Sequence, residues 1–144
     1  MTAQPPTESF FWSALPVFFV CLWLFVIWVI AHVGGWTALA RDYPAQTHPD
    51  GVHYSWRTLR IAPLTGYNSC LNVTLSRDGI YMIPSLLFRF AHPALLIPWN
   101  RVGSLEEKRF LFRWCYLPID VSGRHLRLYL PCSARARLDQ NVPQ

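Results

Sequence analysis

Phe10 to Val33 reads "FFWSALPVFFVCLWLFVIWVIAHV", 24 residues without a single Asp, Glu, Lys or Arg. Coiled as an α-helix, the run is roughly 36 Å long, enough to cross a hydrocarbon core of about 30 Å with some tilt. The stretch predicts a transmembrane helix over 10–33 and so sets the architecture: a short N-terminal tail (1–9), one membrane anchor, and everything else behind it. Pro16 removes one backbone donor near the first turns, where a membrane helix absorbs a local kink. Trp12 and Trp36 fall near the two expected interfaces, where amphipathic rings favour the headgroup layer. Trp23 and Trp28 lie deeper and face lipid tails or a partner helix.

The rest of the composition agrees. Hydrophobic residues make up 52% of the 144 and charged residues 15%, too apolar for an ordinary soluble domain of this length. Ala38-Leu39-Ala40 resembles a signal-peptidase site, so a cleaved secretory signal is the rival reading. Two features oppose it: the first nine residues carry Glu8 but no Lys or Arg, and the apolar run exceeds the usual signal core. All 13 Lys and Arg lie after the run, from Arg41 onward. By the positive-inside rule this places the N-terminus outside an inner (cell) membrane and the C-terminal hundred residues in the cytoplasm.

Behind the anchor, residues 34–53 read as a linker: Gly34-Gly35 marks the exit, Thr37 to Arg41 continues as a short interfacial turn or helix, and "DYPAQTHPDGVH" is Pro-, Asp- and Gly-rich without an apolar period. From Tyr54 the pattern turns to β. In "SCLNVTLS", Leu71, Val73 and Leu75 point one way while Cys70, Asn72 and Thr74 point the other. Ser76-Arg77-Asp78-Gly79 then makes a hairpin into "GIYMIP". "SLLFRFAHP" is a second short strand or an excursion that rests on lipid, and "ALLIPW", bounded by Pro93 and Pro98, is a short edge-like strand. "KRFLFRWCYL" reads as one amphipathic strand, with Phe110, Phe112, Trp114 and Tyr116 on one face. Ser122-Gly123 turns into "RHLRLYLP", with Leu126, Leu128 and Leu130 inward. The expected fold is one N-terminal transmembrane α-helix plus a small mainly-β domain over 54–131, a sandwich or partly open barrel, with a C-terminal tail at 132–144.

Chemistry is harder to find. Cys21, Cys70, Cys115 and Cys132 are widely spaced without a CxxC pair, so neither a disulfide framework nor a metal knuckle is expected. His92 stands before a proline with no nucleophile or carboxylate at a recognisable spacing, and reads as structural. His32, near one end of the apolar run, is a haem- or pigment-ligand candidate, but Trp28 four residues earlier would crowd a macrocycle; no cofactor is the preferred expectation. Glu106 and Glu107 beside Lys108 and Arg109 read as a solvated charge cluster in a turn. The tail holds 13 basic against 7 acidic residues, and 12 of the 13 are Arg. Scattered singly along strands, these suit an anionic headgroup or a protein partner better than nucleic acid.

"DGIYMI…FRFAHPALLIPWNRVGSL…RFLFRW…RHLRLYLP" resembles the pleckstrin-homology-like and GRAM-like domains that bacteria attach to membrane helices, over about residues 54–131. The resemblance rests on Gly79 to Ile83, on Ile97-Pro98-Trp99 with Val102, and on the strands at 108–116 and 124–130. It implies a β domain closed at one end by a C-terminal helix, of which "CSARARLDQNVPQ" offers one or two turns. The expected function is a non-enzymatic accessory or scaffold that docks on a larger membrane protein complex; the alternative is a tethered sensor of lipid or a small ligand. Contacts are expected at Trp23, Trp28, Trp36, Arg89, Trp99, Arg101, Arg113 and Arg127, since Trp and Arg dominate interface energetics.

Overall fold

A computed structural model describes residues 6–61, 63 and 65–141. Helix α1 (Pro6–Val33) contains the apolar run and is long and apolar enough to cross a membrane. It begins inside the expected tail, of which residues 1–5 lie outside the described part. Most of its side chains are exposed; Ile27 and Ala31, one turn apart, are buried against the rest of the molecule.

Gly34 and Gly35 turn the chain sharply after α1. Gly35 adopts φ +81°, so the backbone favours glycine; a Cβ there would also meet the tip of the exposed Arg124 side chain, which is free to swing aside. Helix α2 (Trp36–Asp42) follows, with Trp36, Leu39 and Ala40 buried in the main core. Of the short turn or helix expected over 37–41 within the linker, the structure shows a helix, packed into the core rather than interfacial because Trp36, Leu39 and Ala40 share one apolar face. The next residues are tied down as well. Leu96 N–H donates to Tyr43 (3.1 Å) and Ala45 N–H to Ala94 (3.2 Å), covering part of a sheet edge.

The sheet is antiparallel and open, seven strands in the order β4-β3-β2-β1-β7-β6-β5. Strands β1 (Gly51–Arg60), β2 (Gly66–Ser76), β3 (Gly79–Pro84) and β4 (Leu95–Pro98) form one meander. A second comprises β5 (Glu106–Arg109), β6 (Arg113–Val121) and β7 (Arg124–Leu130), and β7 pairs with β1 to join the two. Leu71, Val73 and Leu75 are buried, as alternation requires, and β4 is an edge strand. Ser76 caps the β2–β3 turn, its Oγ donating to the Gly79 carbonyl at 2.8 Å. Ser122 (φ 50°) and Gly123 (φ 71°) link β6 to β7 with the doubly positive φ angles of a tight hairpin. Helix α3 (Arg135–Asn141) closes the chain, with Leu138 in the core.

Three expectations need correcting. "KRFLFRWCYL" is not one strand: it breaks at residues 110–112, and Glu106 to Arg109 form a strand rather than a turn. Leu86–Ala91 is a 3-10 helix against α1, so of the two readings it is the excursion. Cys115 and Cys132 form a disulfide, Cα atoms 5.3 Å apart. Their spacing gives no hint of it, because the β6–β7 register places Cys115 opposite Leu130, two residues from Cys132.

Candidate functional site

Alternation along β6 and β7 sends Cys115, Leu117, Ile119, Leu126, Leu128 and Leu130 into the core. Trp114, Tyr116, Arg127 and Tyr129 therefore occupy the opposite face. Register aligns them across four strands: Thr58 lies opposite Tyr129, Tyr129 opposite Tyr116, and Tyr116 opposite Glu106. In the next row Arg60 faces Arg127; toward the β5–β6 tip Lys108 faces Trp114. The Tyr116 and Tyr129 rings are 6.0 Å apart, Trp114 meets Tyr129 edge-on at 6.2 Å, and the Arg127 guanidinium lies 5.6 Å from the Tyr116 ring centre. Tyr116 donates its hydroxyl hydrogen to the Glu106 carboxylate. Together with Asn68, Ser69 and Phe110 these residues enclose an open groove of about 620 Å³.

Glu106, bonded to Tyr116, brings one carboxylate to the border of the groove. Glu107 is engaged elsewhere: it accepts from Arg109 Nε at 2.7 Å and pairs with Arg113 Nε at 3.0 Å. The Arg109 hydrogen bond, helped by both charges, holds its carboxyl below the usual range. Among the described residues Arg60, Lys108 and Arg127 have no carboxylate partner. Two arginines directly opposite across a strand pair repel mildly, and both of these side chains are exposed to water.

Above the groove the β5–β6 turn projects three consecutive large apolar residues. Phe110 is 97% exposed, Leu111 82% and Phe112 68%. Tight turns favour Gly, Asn, Asp and Ser, so this tip departs from what folding requires. It lies at the far end of β6 from the Ser122 turn, where Ser122 donates to Asp42 of α2. The eight steps from Arg113 to Val121 put about 27 Å of strand between them.

A second polar cluster lies buried where α1 meets the sheet. The Tyr67 hydroxyl and His92 Nε2 share a hydrogen bond of 2.8 Å, and the Trp36 indole N–H donates to the Pro93 carbonyl at 2.9 Å. The three rings pack within 5.1–5.6 Å of one another. His92 has no exposed surface and its Nδ1 has no hydrogen-bond partner. Burial lowers its pKa, against a smaller opposing pull from the Phe88 carbonyl, so the ring is held neutral. Burial, aided by Cys70, raises the Tyr67 phenol, which therefore stays a donor.

Of the contact residues expected from sequence, Arg127 lines the groove and Arg113 stands beside it, tied to Glu107. Trp36 and Trp99 are corrections. Both are buried, and Trp99 donates its indole N–H to Ser76 at 3.0 Å, so neither meets lipid or a partner. Trp23 and Trp28 remain exposed on α1, while Arg89 and Arg101 sit exposed on separate short 3-10 helices, away from the groove. His32 Nδ1 bonds the Trp28 carbonyl at 2.8 Å, and the Trp28 ring is 4.4 Å from the imidazole, which crowds that side. Among the described residues no group of three His, Cys, Asp or Glu is placed to hold a metal. Sequence reading missed Arg60, Lys108 and Tyr129 as site residues: strand alternation marks Tyr129 as outward, but only the β1–β7 pairing brings Arg60 to it.

Compared with family models, curated proteins and solved structures, the chain matches none.

Proposed function

We propose that this chain is a non-enzymatic, single-pass membrane protein whose β domain docks an acidic segment of a larger membrane protein complex. The observation that carries this reading is the groove, where unpaired Arg60, Lys108 and Arg127 alternate with Trp114, Tyr116 and Tyr129 beneath an exposed apolar tip. Trp, Tyr and Arg are the side chains that concentrate binding energy at protein interfaces, and the unpaired cations select a negative partner. The seven-stranded sheet with α3 after its last strand, in the place of the closing helix, supports a pleckstrin-homology-like domain.

Retention of α1 as an anchor has its own support. Cleavage after Ala40 would strip Trp36 and Leu39 from the core and leave a large cavity, a loss of several kcal/mol by the usual scale, about 2–5 each. Side of the membrane is a matter of two opposed arguments. Total charge places the β domain in the cytoplasm, whereas the Cys115–Cys132 bridge belongs in an oxidising compartment. Within about 20 residues of the helix, however, Arg41 is the one Lys or Arg on that side and there is none on the other, so the charge bias there is slight. We therefore place the β domain on the oxidising face.

One observation favours the sensor reading as second. The Arg124 guanidinium lies against Gly35, where the chain leaves α1, at the level of the headgroups. Native mass spectrometry of the full chain in gentle detergent separates the two. Docking predicts a protein retained by the wild type and lost from the double variant R60E/R127E; a chain carrying only lipid, or a protein held equally by both forms, contradicts it.

A further inference from the structure

The 3-10 helix Leu86–Ala91 packs against the side of α1, not beyond its end. The Phe88 ring stands 5.8 Å from that of Trp23, ten residues before Val33. The depth of this contact follows from the length of the apolar run. A run about 36 Å long spanning a core of about 30 Å leaves only about 6 Å of slack, or roughly four residues. Sliding further is barred at the other end by Glu8 and Ser9. Wherever the core is placed on an untilted helix, Trp23 lies about 9–15 Å inside the boundary nearest the sheet.

Phe88 shares that depth. Around it Leu86, Leu87 and Phe90 are exposed by 78%, 68% and 69%, with none of the three buried by the protein. In water this apolar surface, continuous with that of α1, would be costly; in hydrocarbon it is solvated. The backbone is partly provided for, with Phe88 N–H donating to Ser85 at 2.9 Å and Ser85 N–H to Cys70 at 2.7 Å. Arg89, exposed on the same segment, has a stem long enough to carry its charge toward the headgroups.

We infer that Leu86–Ala91 is a lipid-immersed foot: the leaflet's hydrocarbon covers this face, and with α1 it fixes the pose of the β domain on the bilayer. The inference rests on α1 being a membrane span, and the test separates the two. In the full chain with Cys21→Ser and Cys70→Ala, and the disulfide kept, single cysteines replace Leu87, Phe90, Phe18 on the span or Leu111 at the tip. Each is labelled with an environment-sensitive fluorophore and reconstituted in phosphatidylcholine–phosphatidylglycerol vesicles. Labels at 87 and 90 should emit to the blue, lose as much intensity to acyl-chain nitroxide lipid as the label at 18, and be spared by iodide, which quenches 111. Iodide quenching at 87 and 90 with 18 still in lipid overturns the foot alone. Iodide quenching at 18 overturns the span and the foot with it.

Discussion

Arg60 and Arg127 face each other directly across β1 and β7, and among the described residues neither meets a carboxylate. Like charges so placed are destabilising, so this pairing gives the fold no stability. Arg60→Gln is expected to leave the unfolding free energy unchanged or raise it by about 0.2–1 kcal/mol, while weakening partner retention. Arg127→Gln relieves the same repulsion but gives up its contact with Tyr116, about 0.5–1 kcal/mol for an exposed cation–π pair, so it is expected to be the less stable of the two variants. Denaturant titration of the full chain in detergent measures both; a loss of stability in the Arg60 variant as large as a core substitution would show a structural role instead.

His92 supplies a pH signature. Its folded pKa lies below the ordinary 6.5, so above pH 6.5 both states are neutral and the folded state keeps its full stability. As pH falls from 6.5 toward the lowered folded value, the unfolded chain takes a proton that the buried ring refuses, and stability declines. His92→Gln, which retains an acceptor for Tyr67, is expected to remove most of that decline. Thermal midpoints at neutral and mildly acidic pH, compared between wild type and variant, measure the difference. Equal slopes would show that His92 titrates freely.

The Cys115–Cys132 bridge closes a loop of sequence separation 17. Cys132→Ser is expected to lower the unfolding free energy by about 3 kcal/mol. Alkylation of intact cells before lysis should leave both cysteines unmodified until a reductant is added. A membrane-impermeant maleimide should label Leu111→Cys from outside. Labelling only after lysis would put the β domain in the cytoplasm, as the charge count has it.

Gly35 joins the anchor to the sheet. Gly35→Ala forces a side chain into left-handed backbone, so a loss of more than about 1 kcal/mol is expected. Pairing it with Arg124→Ala should recover little of the loss, because the exposed Arg124 tip is free to swing aside and the backbone share remains. A double variant as stable as the wild type would show that the turn tolerates a Cβ.

Much of this fold was legible because its signals are local. The charge-free run 10–33, the alternation of Leu71, Val73 and Leu75, the Asp78-Gly79 and Ser122-Gly123 turns, and the prolines bounding β4 each work within about ten residues. The errors came where partners are distant. Trp36 and Trp99 read as interface aromatics because sequence shows a ring, not that its indole N–H finds Pro93 or Ser76. The disulfide was hidden for the same reason. Half the groove was legible: β6 and β7 show Trp114, Tyr116, Arg127 and Tyr129 as outward. Its other wall comes from Thr58 and Arg60, which only the closure of β7 on β1 supplies.

The central claim, that the aromatic and basic groove with its apolar tip is a docking face for a protein, is tested most directly by photocrosslinking from Phe110 in native membranes. With benzoylphenylalanine at that position, one discrete crosslinked protein band is expected, and it should fade when Arg60 and Arg127 are both reversed to Glu. Crosslinks to lipid alone, or a protein band indifferent to the two reversals, would contradict the account.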